Sequence, residues 1–231
     1  MDGVTGKTVA LTRIQKLIGR LMLQSKREAP CCYLSVLVDM TELVNMRKSY
    51  CKTAGVRVTT NDFFICAIGR AAKEFPLMAG RFSEDGENIQ IAGEIGVGIA
   101  VAASQGLVVP VVKNVSEKSL VQIAADSSEL VKKSRANKLD LDDFEGANIV
   151  FSSLGMYGVN SFFAIKPPDA ACIISIGKFE DTIVPEEGGP TVRKMMSVGL
   201  AADCRIANEI YAAKFLNCIT VQLEAPETLT G

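Results

Sequence analysis

The sequence predicts one mixed α/β domain, and three observations lead to that prediction. Segments with the spacing of amphipathic helices alternate with short apolar segments of strand type along the chain. No repeat or low-complexity linker divides the 231 residues. Apolar residues make up 48% of the chain and charged residues 22%, as in globular proteins with a substantial core. We therefore expect residues 1–231 to form a single domain, with residues 1–8 as a flexible arm.

The N-terminal part of the chain predicts a helix, a strand and a second helix. Apolar residues recur at helical spacing over 11–29, where Thr12 can cap the start and Pro30 follows the end. Residues 31–40 are rich in Val, Leu and Tyr with little polar interruption, which predicts a strand. Thr41 begins the second predicted helix, which continues to about residue 54.

The middle of the chain predicts a third helix and a hairpin. The helix begins at residue 60 or 61, keeps its aromatic and aliphatic residues at helical spacing, and ends before Pro76. Residues 81–90 are expected to form a loop. Two apolar strands follow over 94–103 and 107–113, joined by Ser104-Gln105-Gly106, which is typical of a hairpin turn.

The C-terminal half predicts a long helix over 119–138 and a closing helix over about 208–224. Between them, short strands are expected at 148–153, 171–179 and 197–202, the first two on either side of a glycine-rich loop.

The charge balance excludes some classes of partner. Lys plus Arg number 25 and Asp plus Glu number 26, so the formal net charge is −1. This balance gives no electrostatic reason to expect a nucleic acid or an anionic membrane as partner. The basic residues Lys132, Lys133 and Arg135 are expected on the solvated face of their helix.

The chain contains no histidine. This absence removes every Ser-His-Asp triad, every Cys-His dyad and every imidazole metal site, and we expect no metal. It also removes the usual general base for chemistry at neutral pH.

The seven cysteines indicate the compartment. Their number is odd, no CxxC spacing occurs, and several lie in apolar stretches, as expected for a reduced, intracellular protein. Residues 1–7 contain no apolar signal region, and glycines and Pro110 interrupt the uncharged run over 95–112. We expect a cytoplasmic protein.

Three segments contain more than core residues. Residues 151–158, with sequence FSSLGMYG, end a predicted strand with hydroxyls and glycines, although an ordinary strand-to-loop turn has the same pattern. Residues 165–170, IKPPDA, predict a rigid crossing. Residues 200–209, LAADCRIANE, place the thiol of Cys204 beside Arg205, where it is either activated or an inert cysteine.

These segments, with others in the same order, resemble a known family. The chain from about Val9 onward resembles the catalytic domain of the dihydrolipoamide acyltransferases, the E2 components of 2-oxo acid dehydrogenase complexes such as the pyruvate dehydrogenase complex. The segments that carry the resemblance are LTRI at 11–14, AP at 29–30, LSV at 34–36, DM at 39–40, GLVVPV at 106–111, FSSLGMYG at 151–158 and PPDA at 167–170.

The resemblance implies a fold and an assembly. The fold is an α/β two-layer sandwich of helices on a mixed sheet, like that of chloramphenicol acetyltransferase. The family assembles as trimers with active sites between subunits, and its cores often form larger hollow particles. A homotrimer, with E1, E2 or E3 chains as partners, is therefore expected.

The resemblance also implies a reaction. The family transfers an acyl group between dihydrolipoamide and coenzyme A, so coenzyme A or acetyl-CoA is the expected substrate. No lipoyl domain, peripheral-subunit-binding domain or Ala/Pro-rich linker is found in the sequence. The chain is thus expected to be an excised core or a stand-alone protein that takes its lipoyl group from another domain or chain.

The resemblance implies three site residues. Ser152 corresponds to the hydroxyl that stabilises the tetrahedral oxyanion. In the family motif Asp-His-Arg-x-x-Asp-Gly, Asp203 and Arg205 match, but Cys204 stands at the histidine position. Asn208 replaces the second Asp, and Glu209 replaces the Gly. A free cysteine thiol titrates near pKa ~8.5 and is mostly protonated at neutral pH, so it is no simple substitute for the base.

Several interpretations of this motif stay open. The chain is a catalytically silent scaffold, or Cys204 itself accepts the acyl group as a thioester, or Ser152 and bound thiols support residual transfer by positioning alone. A further alternative is an interaction subunit that mixes with an active chain, which would supply histidine across the subunit interface.

Overall fold

The computed structural model describes residues 6, 8–83, 85–103 and 106–230. The described helices are α1 Arg13–Glu28, α2 Thr41–Ala54, α3 Thr60–Glu74, α4 Leu120–Arg135 and α5 Glu209–Glu224. The described strands are β1 Cys31–Asp39, β2 Gly80–Phe82, β3 Ile89–Ile91, β4 Val97–Ile99, β5 Val101–Ala103, β6 Gly106–Val108, β7 Val111–Val112, β8 Ile149–Ser153, β9 Cys172–Glu186 and β10 Gly189–Asp203.

A six-stranded mixed sheet organises the domain in the order β1-β10-β9-β8-β4-β7. Strand β8 is parallel to both of its neighbours, and the other pairs of this sheet are antiparallel. Two small two-stranded sheets, β2-β3 and β5-β6, accompany it. The predicted arrangement of helices on a mixed sheet is confirmed.

Helix α3 is the centre of the helical layer. A capping box between Thr59 and Asp62 fixes its start, and ten of its fifteen residues are buried. The ring of Phe64 stacks on Phe151 of β8, with 5.5 Å between ring centroids. Because Phe151 faces the helices, its neighbour Ser152 lies on the opposite face of the sheet.

The loop over 159–168 crosses that opposite face. The Ser175 hydroxyl donates to the Phe162 carbonyl at 2.6 Å, and the Ser25 hydroxyl of α1 donates to the Lys166 carbonyl at 2.6 Å. A Cβ at Gly177 would lie 1.7 Å from the Asn160 carbonyl oxygen, so only glycine allows the loop to approach the sheet this closely.

The helix predictions are confirmed within one to three residues at each end, and Thr12 caps α1 as expected. Some strand predictions are wrong. The loop predicted over 81–90 includes residues of β2 and β3. The strand predicted over 94–103 is broken into β4 and β5, and the strand predicted over 107–113 is broken into β6 and β7, which belong to different sheets. The strands expected to end at residue 179 and to begin at residue 197 extend into a long β9-β10 hairpin.

Some expectations fall outside the described residues: most of the predicted arm (1–5 and 7), and Ser104 and Gln105 of the predicted turn. The flanking strands β5 and β6 do pair antiparallel, as the turn signal predicts. Among the described helices, none has the length and apolar character needed to cross a membrane.

Candidate functional site

Cys204 lies at the corner where β10 ends. Its backbone N–H donates to the Pro30 carbonyl at 2.8 Å, which holds the corner against the start of β1. Its side chain is exposed, and its nearest hydrogen-bond acceptor is the Ala202 carbonyl, 3.9 Å from Sγ. The thiol is thus presented to solvent at a position that the backbone fixes.

The carboxylate of Asp203 is buried beside it and binds two cations. Arg205 donates to it from Nε at 3.0 Å and from a terminal nitrogen at 2.8 Å, a bidentate geometry. Nζ of Lys166 lies 3.4 Å from Oδ2 of the same carboxylate. The guanidinium that could have activated the Cys204 thiol is therefore engaged by Asp203.

The balance of charges keeps Asp203 ionised. Burial alone would raise its pKa, but hydrogen bonds from Arg205 and the positive charges of Lys166 and Arg205 outweigh that effect. The pKa of Asp203 therefore lies below its ordinary value. The same ion pair raises the pKa of Arg205.

Lys166 contacts the candidate site through Asp203, a placement that sequence reasoning missed. Its ammonium is completely buried and also donates to the carbonyls of Pro167 and Pro168, at 3.2 and 3.3 Å. A lysine before two prolines gives no sequence signal of burial, because lysine is almost always exposed. Only the crossing loop brings it to Asp203.

Ser152 lies near the end of β8 and is 9% exposed. Its register partner is Ser175 of β9, which in turn pairs with Gly199 of β10. Cys204 lies five residues after Gly199, immediately past the end of β10. With a strand spacing of about 4.8 Å and a rise of about 3.3 Å per residue, Ser152 and Cys204 are roughly 19 Å apart within one chain.

Asn208 caps the N-terminus of α5. Its side-chain oxygen accepts from the backbone N–H of Tyr211 at 2.9 Å. Glu209 is the first residue of that helix and is exposed. Because a carboxylate is favoured in the first turn of a helix, the replacement of the motif glycine is structurally tolerated.

A cavity of about 630 Å³ lies on the helical side of the sheet. Phe151 and Ser153, the two neighbours of Ser152, line it, and so do four basic side chains. The basic residues are Arg47, Arg57, Lys132 and Arg135. Its size is that of a ligand pocket, and its charge suits an anion.

The basic residues of this cavity have few protein partners. Within the described part of the chain, none of the four forms a salt bridge, and Nε of Arg47 is buried without a hydrogen-bond partner. Lys132 and Arg135 are exposed, as the sequence predicts, but Lys133 turns instead to Asp143. Lys132 and Arg135 are three residues apart, which places them on one face of α4. This spacing was the sequence signal that both could line the same cavity.

Among the described residues, no group of three or more cysteine or carboxylate side chains is arranged to hold a metal ion. All seven cysteines are free thiols.

Comparison with known proteins gives a consistent result. The sequence profile of the 2-oxoacid dehydrogenases acyltransferase catalytic domain matches residues 4–230. The chain is 32% identical to the dihydrolipoyllysine-residue acetyltransferase component of the Rickettsia felis pyruvate dehydrogenase complex, over 95% of the chain and 54% of that protein. It is 28% identical to the mouse mitochondrial pyruvate dehydrogenase protein X component, over 96% of the chain and 44% of that protein. The chain thus spans about half the length of these curated relatives.

Comparison with solved structures gives the same family as the sequence comparison. A probable dihydrolipoamide acetyltransferase from Listeria monocytogenes superimposes with a TM-score of 0.89 at 33% identity, covering 96% of each chain. The Azotobacter vinelandii dihydrolipoamide acetyltransferase gives a TM-score of 0.91 at 29% identity, covering 96% of this chain and 93% of that one. Chloramphenicol acetyltransferase shares the fold alone, with a TM-score of 0.53 at 13% identity over 88% of this chain and 94% of that one.

Proposed function

Because the chain belongs to the 2-oxoacid dehydrogenase acyltransferase family and is a catalytic domain of that family, we propose that it transfers acyl groups between dihydrolipoamide and coenzyme A, at a rate limited by its missing histidine. One observation carries this proposal: the spacing of the candidate site residues. The A. vinelandii structure concerns the catalytic roles of a serine, of a histidine 52 positions later and of an asparagine four positions after that. Ser152, Cys204 and Asn208 have the same spacing.

The proposed roles follow from this correspondence. The Ser152 hydroxyl stabilises the oxyanion of the tetrahedral intermediate, and Cys204 occupies the position of the proton acceptor. The attacking thiol must lose its proton to become nucleophilic. Without a general base the transfer is expected to be slower by about 10²–10⁴-fold. Asn208 supports the site by fixing the start of α5 behind Cys204.

The proposed site is completed by a second copy of the chain. Ser152 and Cys204 are too far apart in one chain to act on the same reacting carbon, which requires contacts of about 3 Å. A trimer in which Ser152 of one subunit meets Cys204 of the next resolves this separation. The cubic core of a pyruvate dehydrogenase complex is among the similar structures and supports an assembled state.

Coenzyme A is proposed to bind with its phosphates in the basic cavity. Its anionic groups would offset the charges of Arg47, Arg57, Lys132 and Arg135, none of which forms a salt bridge with another described residue. The cavity reaches Phe151 and Ser153 near the end of β8, and the thiol arm of coenzyme A would pass around that end of the strand to reach Ser152 on the other face. The lipoyl group is proposed to come from another domain or chain. The free thiols fit the proposed cytoplasmic location, or the mitochondrial matrix in a eukaryotic source.

An acetyl-transfer assay tests the proposal. Purified protein is incubated with acetyl-CoA and reduced lipoamide, and formation of acetyl-lipoamide is compared with that of the A. vinelandii core. Slow but protein-dependent transfer is expected. Transfer at the same rate would reject the limiting role of the missing histidine, and an acetyl group found on Cys204 by mass spectrometry would instead favour a thioester intermediate.

A second candidate function is a scaffold or interaction subunit within a 2-oxo acid dehydrogenase complex. The match to the protein X component, which is not named as an acyltransferase, favours it. Two changes in one motif, Cys204 and Glu209, also fit relaxed catalytic constraint. Binding of coenzyme A without transfer, together with co-purification with a histidine-bearing chain, would support this candidate over the first.

A further inference from the structure

Strands β1 and β10 bring two cysteines together on one face of the sheet. Cys32 pairs with Ala202, and the ladder continues with the hydrogen bond from Cys204 to Pro30. Residues two apart along a strand share a face, so Cys204 lies diagonally opposite Cys32. Diagonal neighbours of this kind lie about 7–8 Å apart between Cα atoms and somewhat closer between Cβ atoms, near the upper limit for a disulfide.

The electrostatics agree with this contact. The pKa of Cys32 is raised to about 11, first by burial and then by the charge and hydrogen bond of the Cys204 thiol, with a smaller contribution from Glu209 of α5. The two sulfur atoms therefore influence each other directly, although no disulfide joins them.

The two thiols differ in access. Cys204 is exposed, whereas Cys32 is half-buried against the core. The adjacent Cys31 points to the other face of the sheet, where Asp203 is its register partner, and Cys172 is fully buried. One accessible thiol with one sheltered thiol behind it is the arrangement of an attacking and a resolving cysteine.

We propose that Cys204 and Cys32 form a redox-active pair that reduces small disulfides at this corner, with Cys204 attacking and Cys32 resolving. This activity is separate from acyl transfer and does not depend on it. It uses the exposed thiol that stands where the family has a histidine.

The two steps balance. The Cys204 thiolate attacks one sulfur of an open-chain disulfide, forms a mixed disulfide and releases the first thiol. Cys32 then loses its proton, attacks Sγ of Cys204 and releases the second thiol, leaving a Cys32–Cys204 disulfide. Two electrons and two protons pass from the protein to the disulfide. Because Cys32 is held protonated, the second step is the slower one.

Glutathione disulfide is the probe for the test. The whole chain is incubated with it, remaining thiols are alkylated, and peptides are mapped by mass spectrometry. In the wild type we expect a Cys32–Cys204 disulfide and little glutathione on Cys204. In Cys32→Ser, glutathione should remain on Cys204. In the matched control Cys31→Ser, the Cys32–Cys204 disulfide should still form.

Three results would overturn the proposal: glutathione retained on Cys204 of the wild type while Cys32 is alkylated, a disulfide between Cys31 and Cys204, or Cys204 left unmodified in Cys32→Ser. The wild-type map decides without any variant if Cys32→Ser fails to fold, which circular dichroism would show. Coenzyme A binding and acetyl transfer are measured separately, so failure of either proposal leaves the other testable.

Discussion

Nζ of Lys166 lies 3.4 Å from Oδ2 of Asp203, and both side chains are at most 1% exposed. The ion pair ties the crossing loop to the end of β10. Replacing Asp203 with Asn would leave the lysine charge buried without its counterion, so we expect Asp203→Asn to lower the free energy of unfolding by about 3–5 kcal/mol. Urea denaturation followed by circular dichroism measures this change.

An exposed ion pair provides the control for that measurement. Lys194 and Asp181 pair at 2.8 Å on the β9-β10 hairpin, and both side chains are more than a third exposed. Asp181→Asn should change the unfolding free energy by less than about 1 kcal/mol. Equal losses of unfolding free energy in the two variants would show that the buried Lys166–Asp203 pair contributes no more stability than an exposed pair.

Low pH should lower the stability of the domain by protonating the Asp203 carboxylate. The pKa of Asp203 is lower in the folded protein than the ordinary value of 3.8, so its stabilising effect is complete above that value and is lost as pH falls through the lowered pKa. The difference in stability between the wild type and Asp203→Asn should therefore shrink below about pH 4. Urea midpoints of both proteins at pH 7 and at pH 3 measure this difference in stability. The same difference at both pH values would contradict the lowered pKa of Asp203.

Restoring imidazole at the corner should restore rate. On the proposed function, Cys204→His supplies the missing proton acceptor and should raise acetyl transfer by about 10²–10⁴-fold. Cys218→His, which adds imidazole at a half-buried position of α5 beside Glu74, should leave the rate unchanged. If the two variants were equally slow, the scaffold function would be favoured.

The basic cavity should set the affinity for coenzyme A. Arg135→Ala should weaken binding by about 1 kcal/mol, or roughly fivefold in Kd, because one exposed cation facing a phosphate is lost. Arg20→Ala removes an exposed cation from α1, outside the cavity, and should leave Kd unchanged. Titration calorimetry at low and high salt tests both, since the effect of Arg135 should fade as salt screens it.

The close approach of the crossing loop should make Gly177 irreplaceable. A methyl group there would overlap the Asn160 carbonyl, so we expect Gly177→Ala to cost at least about 1–3 kcal/mol of stability. Gly188 in the β9-β10 turn has no atom within 4 Å of a built Cβ, and Gly188→Ala should fall within about 0.5 kcal/mol of the wild type. Similar melting temperatures for the two variants would contradict the close approach.

The helices could be predicted from sequence because local signals determine them. Thr12 caps α1, Ser119 caps α4 and Asn208 caps α5, as expected from residues that accept hydrogen bonds at helix starts. The outer half of the β9-β10 hairpin was missed because none of its residues is buried, several are charged, and it includes Pro185 and Pro190. Such strands form by pairing with each other, which no single window of sequence reveals.

The candidate site was predictable only in part. Family motifs predict Ser152 and Cys204 as site residues, but they do not indicate Lys166, which reaches Asp203 only because a loop crosses the sheet. Likewise, Arg47 and Arg135 lie on different helices far apart in sequence, so their common cavity depends on how the helices pack.

The separation of Ser152 and Cys204 within one chain has a consequence for inheritance and dosage. On the proposed assembly each chain lends its serine to one site and its cysteine to another, so two differently damaged copies can rescue one another where each alone is silent. Conversely, one defective chain inactivates a site that it shares with an intact neighbouring chain. Loss of function at this site would then follow the genetics of a mixture of subunits rather than those of a single molecule.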